Sequence, residues 1–184
     1  MNPSVSLTVR AQKGLLRAIE TACLISPPFD PATDGPNHPP VTQFKAIWDT
    51  GATSSVITQQ VIDACNLQPT GIAEVHGVHG KDFSETYLVN IVLQSGVGFP
   101  NIQVTKGKLT GVDVLIGMDI ITRGDFVITN QGGNTICSFR TPSQTTIDFV
   151  QEENKRKQMA SHVHGHSKKE RKKRHKQFGK NKKR

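Results

Sequence analysis

Cysteine is scarce in this chain, and its placement already excludes two architectures. Cys23, Cys65 and Cys137 are odd in number and far apart. Neither a disulfide framework nor a CxxC metal knuckle can be built from them. Reduced, buried thiols and a cytoplasmic location are the expectation. Aromatic residues make up only 5% of the 184 residues, which suits a small β-rich domain better than a large enzyme. No run of 18 apolar residues occurs, so no membrane-spanning helix and no membrane partner are expected. Met1 to Gln12 lacks the apolar stretch of a secretory signal. No internal repeat is evident.

What is abundant is positive charge, and it is unevenly spread. The net charge is +8. Residues Asn154 to Arg184 hold 14 Lys and Arg against one acid, Glu170, a charge of +13. The remaining 9 basic and 14 acidic residues leave Met1 to Glu153 at −5. The high pI therefore belongs to the tail, and three regions follow: an N-terminal segment 1–15, a domain 16–150, and a basic tail 151–184 expected to be disordered. Such a tail could bind nucleic acid or a ribosome through the phosphate backbone over 155–184. Its only aromatic residue is Phe178, so base stacking is not indicated. His162, His164, His166 and His175 are spaced in a way similar to small zinc-binding tails of the SEC-C type, but the cysteines of that pattern are absent. No metal and no cofactor are expected.

Within the domain, Leu16 to Leu24 reads as an early strand. Pro27 to Pro40 reads as a loop, because its spaced prolines block ladder hydrogen bonds. Val41 to Trp48 alternates as a strand. Thr58 to Cys65 reads as one short helix capped by Thr58, with Asn66 in the left-handed position beyond it. Ala73 to Leu93 reads as a long hairpin with its tip at His76 to Gly80 and with Tyr87, Val89, Ile91 and Leu93 on one face of the return arm. Short strands are expected at Phe99 to Val104, Lys106 to Thr110 and Val112 to Ile116. A helical turn is expected at Met118 to Thr122, and a final hairpin joins Phe126–Thr129 to Thr135–Phe139.

The segment Trp48-Asp49-Thr50-Gly51-Ala52 concentrates the chemistry. An apolar strand runs straight into an acid followed by Thr-Gly, a pattern that holds a carboxylate on a tight loop. Peptide hydrolysis by carboxylates needs an acid and a base close together. Two carboxylates roughly 3 Å apart cannot both ionise, so they share one proton. The ionised member can then activate a water while the other protonates the amide carbonyl.

Together with two later elements, this box resembles the retropepsins, the retroviral-type aspartic proteases. The second element is the glycine-rich hairpin Val75 to Lys81, where that family carries a flap. The third is Leu115-Ile116-Gly117, the apolar-apolar-Gly element that buttresses the catalytic loop. The resemblance covers about Leu16 to Phe139. It implies an all-β closed barrel with one short helix, working as an aspartic endopeptidase. Only one Asp-Thr-Gly box is present, so the resemblance also implies a homodimer with an Asp49 dyad across a twofold axis. Thr50 would bond across that axis, and Gly51 would let the backbone approach the dyad. Ala52, His76, Gly77, Val78, His79 and Gly80 would contact an extended peptide or protein substrate. Leu115, Ile116 and Gly117 would support the loop.

Blander readings stand beside these. Asp49 could be a turn aspartate. Asp119, directly after the buttress, is expected to make a structural contact. His76 and His79 could hold a metal, but no third ligand is near in sequence. The same fold could also bind peptide without turnover, or function could reside in the basic tail.

Overall fold

The computed structural model describes residues 4–77 and 80–160. Val78, His79 and the tail histidines His162, His164, His166 and His175 lie outside the described residues. Contacts divide the chain into two units, Met1–Gln144 and Thr145–Arg184.

The first unit is mostly β, with short helices. Its elements are β1 (Val5–Arg10), β2 (Ile19–Ser26), α1 (Pro31–Asp34), β3 (Thr42–Trp48), β4 (Val56–Ile57), α2 (Gln59–Ala64), β5 (Gly71–Gly77), β6 (Gly80–Leu93), β7 (Gly98–Lys106), β8 (Val114–Ile116), α3 (Met118–Ile121), β9 (Asp125–Thr129) and β10 (Ile136–Thr141). One sheet has the order β2-β3-β8-β4-β7-β6-β5. Strand β2 also pairs with β6, Cys23 opposite Leu93 through Ser26 opposite Asn90, so the order of bonded neighbours returns to its start. The other sheet has three strands, β1-β10-β9, all antiparallel.

The core follows the period-two pattern of half-buried strands. Ile19, Thr21, Cys23 and Ile25 of β2 point inward with Phe44, Ala46 and Trp48 of β3. Tyr87, Val89, Ile91 and Leu93 form the inner face of β6, as expected. On β7, Phe99 and Ile102 are both buried although three residues apart. A register shift between Val89 and Ile91 accounts for this, because Asn101 adopts a φ of 53° and its N–H donates to Asn90 Oδ1 at 2.9 Å. All three cysteines are free and buried, and burial pushes the Cys23 thiol up to about 12.

Several expectations are corrected. Residues set apart as an N-terminal segment contain β1, which pairs with β10 from Val5 opposite Thr141 to Arg10 opposite Ile136. The early strand begins at Ile19 rather than Leu16. The proline-rich loop contains α1, capped by Asp30, whose Oδ1 accepts from Ala32 N at 2.9 Å. Thr58 occupies the cap position of α2 without a side-chain cap bond, and its Oγ1 is buried without a partner. Asn66 does take the left-handed conformation, with φ 48°. A second strand at Lys106 to Thr110 does not form, since β7 already runs to Lys106. The short helix α2 and the helical turn α3 stand where the sequence places a helix and a helical turn, with α1 in addition among the described residues.

In the second unit, residues 149–160 are helical where a disordered segment is expected. The cause is local. Asp148 caps the start, with Oδ1 accepting from Gln151 N at 2.9 Å. Glu152 and Glu153 stand in the first turns and Lys155, Arg156 and Lys157 later, which suits the helix dipole. No described helix is long and apolar enough to cross a membrane.

Candidate active site

The position of Asp49 is dictated by strand order. β3 pairs in parallel with β8, Trp48 opposite Ile116. β4 pairs with the other side of β8, Val56 opposite Leu115. The connection from Asp49 to Ser55 therefore has to pass over the end of β8, where Gly117 stands. There is no room there for a side chain. A Cβ on Gly117 would lie 2.7 Å from Ser54 C and O and 3.0 Å from Ala52 O.

The loop is then bonded to what lies beneath it. Asp49 N donates to Ile116 O at 3.0 Å, Met118 N to Ala52 O at 2.8 Å, and Asp119 N to Thr53 O at 3.2 Å. Ile116 and Gly117 thus lie beneath the loop. Gly51 N donates to Asp49 Oδ1 at 2.8 Å, which fixes one carboxylate oxygen, and no hydrogen bond from the described residues reaches the other. Asp49 is half-buried, while Thr50 and Gly51 are exposed. Thr50 makes no side-chain hydrogen bond to the described residues.

Side chains given no role in the site by the sequence reading complete the support. Ser55 is fully buried. Its hydroxyl donates to Asp119 Oδ1 at 2.9 Å and accepts from Gly117 N at 3.1 Å, while its N–H donates to Asp119 Oδ2 at 3.0 Å. Asp119 therefore makes the structural contact expected of it. Trp48, just before Asp49, donates from Nε1 to Thr21 Oγ1 at 3.0 Å. Its ring stacks on Phe126 at 5.4 Å between centroids and leans on Phe139 at 5.2 Å. An indole directly before the acid is a signal that could have been read, since a buried Trp needs a partner for its N–H. Ser55 gives no such signal, because its partners lie more than 60 residues away.

The hairpin of β5 and β6 closes with Gly77 opposite Gly80. On its arms Glu74 Oε1 accepts from Lys81 Nζ at 2.6 Å and lies 3.0 Å from His76 Nε2, all three exposed enough to be solvated. A groove of about 1330 Å³ runs along the return arm, lined by Val56, Val75, Phe83, Lys106 and Val112 among others. Asp49 is not in its lining, so in a single chain the groove and the acid are separate features. Among the described residues, no group of three or more His, Cys, Asp or Glu is arranged to hold a metal ion.

With one aspartate on a glycine-buttressed loop, a glycine-tipped hairpin and a mostly β body, the chain resembles the retropepsin-like aspartic proteases. A family model described as "gag-polyprotein putative aspartyl protease" matches residues 41–123, a span containing the Asp49 box, the hairpin and the Leu115–Gly117 buttress. Solved structures similar to the chain include a retropepsin-like aspartic protease from Rickettsia conorii, 14% identical, covering 76% of this chain and 94% of that one with a TM-score of 0.46. EIAV protease complexed with the inhibitor HBY-793 is 20% identical, covering 60% and 91% with a TM-score of 0.41. Simian foamy virus (mac) protease is 16% identical, covering 56% and 91% with a TM-score of 0.37. No curated protein matches the chain.

Proposed function

We propose that the protein is an aspartic endopeptidase whose dyad is Asp49 and its copy in a second subunit. The observation that supports this most directly is the hold on Asp49. One oxygen is pinned by Gly51 N–H at 2.8 Å, on a loop tied to Ile116 and Met118 beneath it. A carboxylate fixed in this way is preorganised for proton transfer rather than free to turn. One chain supplies one acid, so the twofold copy supplies the other, and the pair shares a proton. The shared proton belongs to the dyad and not to either residue.

In this reading the ring of strand pairings is the closed barrel that carries the loop. The unbonded Thr50 hydroxyl meets the partner loop. The groove along β6 becomes one flank of a cleft for extended peptide, and the hairpin residues His76, Gly77 and Gly80, with Ala52, contact the substrate. Thiols that are free and buried fit a reducing compartment such as the cytoplasm. The test is cleavage of a peptide library by the full chain from about pH 2 to 7, a span that takes in the values at which such pairs exchange their shared proton. Asp49→Asn should abolish turnover without changing the mass of the assembly. Retained cleavage by Asp49→Asn would sink the proposal.

A further inference from the structure

Six charged side chains line the groove along β6, and most are already answered or open to water. Lys106 meets Glu85 at 3.1 Å. Lys81 meets Glu74 at 2.6 Å. Asp82, on the hairpin wall, is exposed, and its Oδ1 accepts from Phe83 N at 2.8 Å. Lys108 is exposed. Exposed charges select a ligand weakly, because water competes for them.

Asp113 is different. It stands half-buried just before β8, with its backbone fixed on both sides. Its N–H donates to Lys45 O at 2.9 Å, and its carbonyl accepts from Thr58 N at 3.0 Å. The carboxylate is answered only thinly. Oδ2 accepts from Lys45 N at 3.4 Å, which is long for a hydrogen bond. Among the described residues no cationic side chain pairs with it, and the nearest candidate, Lys45, gives its Nζ to Glu20 at 2.8 Å. A half-buried carboxylate without a cation carries a desolvation cost that a cationic ligand would offset.

A second cavity adjoins it. Asp113 and Gln60 line both the groove and a hollow of about 460 Å³ beside β2, β3 and α2. Ala22 and Ala64 leave that hollow roomy, and Thr42, Gln43 and Gln60 bring neutral oxygen acceptors to it. A side chain that crosses from the groove into the hollow passes the wall formed by Asp113 and Gln60. It must be long, and its far end must donate hydrogen bonds and carry positive charge. Arginine meets all three demands, since its planar fork can engage both oxygens of a carboxylate and still has donors for amide oxygens. The charge of −5 on residues 1–153 also favours the approach of a basic peptide.

We infer that Asp113, with Gln60, determines specificity in the groove by selecting peptide substrates that carry an arginine, whose guanidinium lies between groove and hollow. The inference rests on the proposed endopeptidase, in which the groove is one flank of the peptide cleft. Asp49 lines neither cavity. The contact is therefore made equally in the bound substrate and in the transition state, and it acts on KM rather than on kcat.

The experiment compares peptides that differ in one group, arginine against its neutral isostere citrulline, placed in turn at each position around the bond that the full chain cleaves. The assay is run at about pH 6, where carboxylates are ordinarily ionised. At one position the wild type should favour arginine by about ten- to hundredfold in kcat/KM, and through KM. Asp113→Asn keeps an acceptor for Lys45 N and should erase that preference. Asp113→Lys should turn it toward glutamate at the same position. Asp82→Asn removes an equal charge from the exposed hairpin wall and should leave the preference intact. Binding of the same peptides to the Asp49→Asn protein, followed by fluorescence anisotropy, separates selection from turnover. Cleavage without an arginine preference, or with one that Asp113→Asn and Asp113→Lys both keep, overturns the inference and leaves the dyad standing. Arginine-selective binding that depends on Asp113, in a chain that cleaves nothing, overturns the endopeptidase and keeps the site. Neither cleavage nor arginine-selective binding overturns both.

Discussion

Gly117→Ala tests the idea that the Asp49 loop is held up by close backbone contact. The added Cβ would lie 2.7 Å from two Ser54 backbone atoms and 3.0 Å from Ala52 O. Ordinary contact is at roughly 3.5–4.0 Å, so the loop must lift by about 1 Å. Overpacking of this kind costs about 1–3 kcal/mol. Lifting Ala52 also weakens the bond from Met118 N at 2.8 Å, which is worth about 1 kcal/mol. The expected loss is therefore about 2–4 kcal/mol, and at roughly 2–4 °C per kcal/mol for a domain near this size, Tm should fall by roughly 5–15 °C. Catalysis should suffer beyond stability, because a displacement of about 1 Å at a reacting group can cost around a hundredfold in rate. The assay is thermal unfolding by circular dichroism, with peptide cleavage measured well below Tm. Gly98→Ala is the control, since its Cβ would meet only Val92 Cγ2 at an ordinary 3.7 Å. If Gly117→Ala melts with the wild type and cleaves at the wild-type rate, the loop is not supported in this way.

Ser55→Ala should cost about 1–3 kcal/mol in urea unfolding, because it leaves the buried Gly117 N–H without its partner and removes one of the two bonds on Asp119 Oδ1, which keeps that from Ile120 N; a loss under about 0.5 kcal/mol would show that the hydroxyl contributes little. Asp125 carries a pH-dependent share of stability. Its carboxyl is held far below the ordinary value of 3.8 by the Ser143 hydroxyl, then the Gln144 N–H and Arg140. A depressed folded value means the contribution is complete above 3.8 and is lost as pH falls toward the folded value. Asp125→Asn should therefore lower Tm at pH 6 and flatten its decline below pH 3.8, and parallel Tm profiles for the two proteins would refute this assignment.

What the sequence makes legible here is what is repeated locally. Tyr87, Val89, Ile91 and Leu93 alternate over a long run, so β6 and its inner face are visible in the letters. The Asp49 box is visible because an apolar strand, an acid and a glycine are adjacent. Asn101 is harder. Its bulge turns Phe99 and Ile102 to the same side, and a strict alternation then looks like a strand that breaks and restarts. The helix at 149–160 is hidden for a different reason. Composition records its charge, but the cap by Asp148 and the order of acids before bases are positional facts.

The support of Asp49 is the part that no local pattern can express. It depends on β8 lying between β3 and β4, two strands separated in sequence by only the Asp49 loop. That insertion forces the loop over Gly117, and it brings Ser55 to Asp119 across 64 residues. The same insertion gives the proposed two-chain site its rationale. It spends the loop's backbone groups on the strand beneath: Asp49 N on Ile116, and Ala52 O and Thr53 O on the turn that follows. Among the described residues, the groups left over on the exposed side include one Asp49 oxygen and the Thr50 hydroxyl. A loop satisfied from below and unsatisfied from above is what the proposed dyad asks of each of its two copies.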